Sequence, residues 1–190
     1  MKNLLLSILL ALSTTGCKAV SKNSSATQRA SSNVSQPTGI TITWAEKGMS
    51  FTVPQNWHRD KMDSEGEMTW VGPDNAKFMI RVGPYKPDYG DASIEDETTK
   101  FYESHKRYGE ESLRYLEISG VRGVYYLRSD KGWDEHSRPQ DQKLTVWAGQ
   151  RTYKGERQVI FVHVTSPAET FAKDGDVLFG LLQSIRFTPN

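Results

Sequence analysis

The chain has 190 residues, enough for one domain with a substantial core. Lys and Arg number 24 against 23 Asp and Glu, a formal net charge of +1, which excludes a strongly basic nucleic-acid binder and an acidic tail protein. The single cysteine excludes an internal disulfide and any multi-cysteine metal cluster.

The N-terminus reads as an address. Lys2 supplies a positive start, and the apolar run Leu4–Leu12 is too short to cross a bilayer, which takes about 20 residues. It fits the apolar region of an export signal. Small residues, Ser13-Thr14-Thr15-Gly16, then lead to Cys17. This placement resembles the signal of bacterial lipoproteins, although Thr14 stands where an aliphatic residue is usual. The resemblance implies removal of residues 1–16 and attachment of diacylglycerol and an amide-linked acyl chain such as palmitate at Cys17. Several acyl chains anchor far more firmly than one, at about 0.8 kcal/mol per buried CH₂. Lys18 follows the cysteine, and in lipoprotein sorting the absence of Asp there leans towards the outer membrane, facing the periplasm. Cleavage removes Lys2 and no acid, so the mature chain has no net charge.

Residues 17–39 comprise the lipidated cysteine and a linker. The stretch contains Ser21, Ser24, Ser25, Ser31, Ser32 and Ser35 and no aromatic residue. Such a composition buries too little surface to offset its ordering entropy and predicts a flexible tether. At about 5–6 Å × √n it would hold a domain on the order of 25 Å from the membrane. Every aromatic residue lies from Trp44 onwards, which places the folded domain at residues 40–190.

Ile40–Trp44 and Met49–Val53 alternate as strands around a turn at Gly48, the second stopping at Pro54. Glu67–Val71 and Ala76–Val82 form a hairpin across Gly72-Pro73-Asp74-Asn75. Ser93, with Asp96 three residues on, caps a helix. Its stripe is Ile94, Thr98, Phe101, His105 and Tyr108, and Gly109 stops it. Leu113–Ile118 and Val121–Leu127 flank Ser119-Gly120, and Lys143–Ala148 pairs with Gln158–Val164 around Lys154-Gly155. Ser166-Pro167-Ala168-Glu169 reads as the start of a second helix, with Gly175 breaking it in two, and Ser184–Thr188 as a last strand. The order predicts an α+β fold, an antiparallel β-sheet packed against helices.

Two motifs carry a family resemblance. Phe51-Thr52-Val53-Pro54-Gln55-Asn56-Trp57 runs a strand into Pro and Trp, with Asn56 where related bacterial domains often carry Gly. Leu181-Leu182-Gln183-Ser184-Ile185-Arg186-Phe187 runs a helix end into a terminal strand. Over residues 40–190 the chain resembles the Mog1/PsbP-like family, whose members mostly act by docking on other proteins. The resemblance carries over no binding residue.

The chemistry-bearing residues point the same way. His58 and His136 read as loop-borne, and His105 and His163 as packed; their spacing matches no metal site. No Gly-x-Ser-x-Gly elbow and no phosphate loop occurs, so neither a catalytic residue nor a cofactor is assigned. Arg107, Arg114, Arg122 and Arg128 are interleaved with acids, which argues against nucleic acid.

The segment Asp130–Gln142 reads as a long loop holding Trp133 and Arg138, residue types common at interface anchors. A second loop, Tyr85–Asp91, adds Tyr89. The expected function is a non-enzymatic, membrane-anchored envelope lipoprotein that binds or scaffolds an envelope protein through Trp133, Arg138 and Tyr89. The alternatives are a periplasmic small-ligand binder, with Trp57, Trp70 and Trp147 lining a pocket, and an uncharacterised hydrolase.

Overall fold

A computed structural model describes residues 28–29, 38–61, 64–86, 92–134 and 136–190. Cys17, Tyr89, the signal segment and most of the expected linker lie outside these residues. Of the expected linker, residues 28–29 and 38–39 are described, and β1, Gln28–Arg29, runs parallel alongside Leu116 and Glu117.

Alternation builds a small sheet. β2 (Gly39–Trp44) pairs antiparallel with β3 (Met49–Pro54), whose odd-numbered residues Met49, Phe51 and Val53 are buried. Gly48 makes the turn with φ 64°, a left-handed conformation that suits glycine. β4 (His58–Arg59), β5 (Glu67–Val71) and β6 (Lys77–Pro84) begin a second sheet. The turn between β5 and β6 puts Asp74 and Asn75 at φ 53° and 59°, which short Asx side chains tolerate.

α1 (Ile94–Tyr108) starts where Ser93 Oγ accepts the Asp96 N–H at 3.0 Å and ends at left-handed Gly109. β7 (Glu111–Ile118) and β8 (Val121–Trp133) join through Ser119-Gly120, and β9 (Pro139–Tyr153) and β10 (Glu156–Pro167) through Lys154-Gly155. All four turn residues have positive φ, the two-residue hairpin geometry that matches strand twist. α2 (Phe171–Gln183) and β11 (Arg186–Phe187) close the chain.

The eight-stranded sheet has the order β1-β7-β8-β9-β10-β6-β5-β4; apart from β1 every pairing is antiparallel. The small sheet has the order β11-β3-β2. Period-two alternation divides the side chains between two faces. On one face Tyr115, Val124, Tyr126, Leu144 and Val146 pack under Phe101 and Tyr102 of α1. On the other, Phe78, Ile80, Trp147, Ile160 and Val162 pack with Phe51 and with Leu178, Leu181 and Leu182 of α2. Each such fully buried aliphatic or Phe side chain contributes about 1.5–3 kcal/mol. The α+β architecture expected from the sequence is the one observed.

Five details differ. Asp130–Gln142 is not a long loop: β8 and β9 stay paired to Trp133 opposite Pro139, leaving a tight tip at 134–138. Side chains there are polar on both faces, so the ladder leaves no hydrophobic alternation to read. Ser166 and Pro167 do not open a helix; they end β10, buried opposite Lys143 and Gln142, and α2 begins at Phe171 after Thr170. Gly175 does not break α2, because Leu178, Leu181 and Leu182 anchor the helix to the core. His58 lies on β4 rather than in a loop, and Tyr108, 76% exposed, leaves the apolar stripe of α1.

Candidate functional site

The β8–β9 pair runs on beyond Leu127 and Leu144 with β10 alongside as far as Gln142, and continues from Asp141 as a two-stranded arm. Charge pairs dress it: Lys131 opposes and bonds Asp141, and Arg128 meets Asp130 at 2.7 Å. The guanidinium of Arg128 and the backbone N–H of Lys131 hold the Asp130 carboxyl below the usual range.

Trp133 ends the arm with its side chain 63% exposed. The tip after it is locked by one carboxylate. Asp134 Oδ1 accepts the backbone N–H groups of His136 at 2.9 Å and Arg138 at 2.8 Å, and Oδ2 accepts Arg138 Nε at 2.6 Å. Chiefly the Arg138 N–H, with the guanidinium beside it, holds the Asp134 carboxyl low. Trp133 and Arg138 are therefore brought together, as expected, with Arg138 exposed but already paired.

The tip is tied to the body. Asn75 Nδ2 donates to the Trp133 carbonyl at 2.9 Å. A polar cleft of about 260 Å³ opens between the tip, the Pro73–Asn75 turn and the start of α2, with Asp74, Arg138, Gln140, Glu169 and Thr170 on its walls. On the other side of the same turn lies an open, mostly apolar groove of about 310 Å³ between Pro54, Trp57, Pro73, Ala76 and Val177, with Asp174 on its wall. The turn serves both hollows, while α2 lines the groove and the Glu169-Thr170 segment before it lines the cleft.

The three tryptophans expected around a pocket do not share one. Trp57 lines the groove. Trp147 is fully buried and donates from Nε1 to the Leu116 carbonyl at 3.0 Å, and Trp70 packs against the core. The groove itself was missed in the sequence. Of its lining the sequence singles out Trp57 but not Val177, an aliphatic residue 46% exposed on α2.

His58 and His136 are exposed, and His105 and His163 sit in ordinary packing. His105 stacks on Tyr126 at 4.3 Å, and its Nδ1 lies 3.8 Å from Glu110. His163 lies half-buried on β10 between Val146 and Met79 of the neighbouring strands. Burial pushes both imidazoles below their ordinary value. Among the described residues no cluster of three or more His, Cys, Asp or Glu side chains is placed to hold a metal. Among them, too, no helix is long and apolar enough to cross a membrane.

No protein-family model and no curated protein matches the chain. Solved structures do. A crystal structure from Bacteroides thetaiotaomicron matches with a TM-score of 0.54 and 15% identity, over 80% of this chain and 49% of that one. This chain thus spans about half the length of that protein. LpqN of Mycobacterium tuberculosis, described as involved in cell envelope biogenesis, matches with a TM-score of 0.52 and 10% identity, over 85% of this chain and 89% of that one. Cyanobacterial PsbP from Synechocystis gives a TM-score of 0.45 and 13% identity, over 78% and 91%. At these identities the likeness is one of fold.

Proposed function

We propose that this chain is a non-enzymatic lipoprotein that recognises another protein of the bacterial cell envelope through the tip of the β8–β9 arm. The observation that carries the reading is Trp133, an aromatic side chain 63% exposed at the end of a braced arm rather than tucked against the sheet. A large, rigid aromatic beside a hydrogen-bonded arginine suits an interface anchor. The Asp134 lock fixes the tip before binding, which lowers the ordering cost of association.

Cys17 supplies the anchor in this reading, with diacylglycerol on its sulfur and an acyl chain on its amino group. Lys18 favours the outer membrane and a domain facing the periplasm. The fold likeness to LpqN, a protein involved in cell envelope biogenesis, agrees with an envelope role. Tyr89 remains a third contact candidate on the segment before α1.

Labelled palmitate and membrane fractionation test the anchor. The native chain should take up label and sediment with membranes, and Cys17→Ser should lose both. Crosslinking in cells tests the tip: Trp133→Ala should reduce partner recovery by about thirtyfold in affinity, the scale of a 2 kcal/mol interface anchor. Unchanged recovery removes the arm from the reading.

A further inference from the structure

The groove beside the Pro73–Asn75 turn is built to be open. Trp57 forms its floor, 7% exposed, with its ring under Gly72, where an added Cβ would fall 2.2 Å from the indole. Val177 forms one wall, 46% exposed, with buried Leu178 next to it in the groove lining. The groove and the polar cleft share the Pro73–Asn75 turn, with Pro73 in the groove and Asp74 and Asn75 in the cleft.

Once Arg138 is paired with Asp134, the remaining formal charges along this double hollow share one sign. Asp174 lines the groove, and Asp74 and Glu169 line the cleft. Among the described residues none of the three forms an ion pair. The third acid of the cleft, Asp134, is neutralised by Arg138. A surface of this sign repels nucleic-acid phosphates and anionic lipid headgroups. It attracts a chain carrying Lys or Arg, and the apolar groove takes a hydrophobic side chain of the same chain.

We infer that the groove between Trp57 and Val177 docks a segment of a partner protein that carries an aliphatic or aromatic anchor flanked by basic residues, whose charges lie over Asp74, Glu169 and Asp174. This rests on the reading of the chain as a protein-binding module and names the chemistry of what it binds.

The test uses the purified full chain and two fluorescein-labelled peptides, Lys-Lys-Leu-Phe-Leu-Lys-Lys and its counterpart with every Lys replaced by Glu. Fluorescence polarisation should show the lysine peptide binding at least about tenfold tighter. Val177→Lys should weaken that binding about tenfold, and Asp74→Asn with Asp174→Asn about fivefold. These side chains are outside the core, so thermal unfolding should stay two-state. Glu103→Gln, on the exposed side of α1, should change nothing. Equal binding of both peptides, an effect of Glu103→Gln as large as that at the groove, or self-association abolished by Val177→Lys overturns the proposal. The reading of the arm tip fails separately, through partner recovery that ignores Trp133→Ala. Loss of recovery with Trp133→Ala, together with peptide binding that ignores Val177→Lys, overturns the groove alone.

Discussion

Asn75 donates from Nδ2 to the carbonyl of Trp133 at 2.9 Å, joining the β5–β6 turn to the tip of an arm 58 residues further along the chain. Asn75 sits at φ 59°, so its backbone conformation and its side-chain bond both favour asparagine. The two contributions separate by substitution. Asn75→Gly keeps the conformation and removes the bond; global stability should fall by less than about 1 kcal/mol while amide exchange near Trp133 accelerates. Asn75→Ala adds the left-handed cost and should lose about 1–2 kcal/mol more. Hydrogen exchange with chemical denaturation checks both, and an arm whose exchange is untouched by Asn75→Gly is held by something else.

Arg151 is the second long-range tie. Its Nη2 donates to the carbonyls of Lys47 at 2.7 Å and Gly48 at 2.8 Å, Nη1 to the Thr188 carbonyl at 3.1 Å and Nε to Gln158 Oε1 at 3.1 Å. The guanidinium lies 4.7 Å from both the Tyr153 and Phe187 rings. Burial lowers its pKa from the ordinary arginine value, yet not out of the charged state at neutral pH. Arg151→Met keeps the apolar stem and strands several acceptors, so unfolding in urea should show a loss of about 2–4 kcal/mol with the slope unchanged. Arg151→Lys should recover part of it. A loss below 1 kcal/mol on Arg151→Met means that water replaces the guanidinium at these carbonyls.

Trp147 lies flat across two glycines that face each other in the β8–β9 ladder, Gly123 and Gly149. A Cβ on Gly123 would fall 2.5 Å from both the Ala148 carbonyl oxygen and the indole ring. Gly123→Ala should therefore displace Trp147, break its bond to the Leu116 carbonyl and cost about 2–4 kcal/mol. Near-ultraviolet circular dichroism and denaturation report on the ring and the energy together. A native-like aromatic spectrum in the variant contradicts the close approach.

What the sequence made legible was local chemistry. Ser93 and Gly109 bounded α1 because caps act within a few residues, and Ser119-Gly120 and Lys154-Gly155 announced their hairpins by turn geometry alone. The arm was illegible because β8 and β9 lose their apolar alternation after Leu127 and before Leu144, where only backbone bonds and charge pairs hold the strands. Ser166-Pro167 misled because a helix start and a strand end share the same residue types, and burial against Lys143 and Gln142 decided between them. Trp133 and Arg138 stood close in sequence and so were found together. The groove draws Pro54, Trp57, Pro73 and Val177 from segments that only tertiary packing assembles. Cys17 and Tyr89 were read from the sequence and lie outside the described residues.

Acid should destabilise the domain over two successive pH ranges. His105 and His163 are held below their ordinary value of 6.5 mainly by burial. Arg128 pushes both further down, Arg81 adds to this at His163, and Glu110 and Glu67 oppose it at His105 and His163 respectively. The unfolded chain therefore binds protons at these sites before the folded chain does. Stability is complete above about pH 6.5 and falls as the pH drops from there through the lower folded values. Asp130 and Asp134 are depressed below 3.8 by their hydrogen bonds, so their contribution is lost only in a second, more acidic window. The melting temperature should begin to decline as the pH falls below about 6.5, and Asp130 and Asp134 should add a further decline only below about pH 4. His163→Gln and His105→Gln should each flatten the first decline and leave the second intact. A melting temperature that holds constant from about pH 7 to pH 5 in the native chain is incompatible with two imidazoles kept neutral by burial.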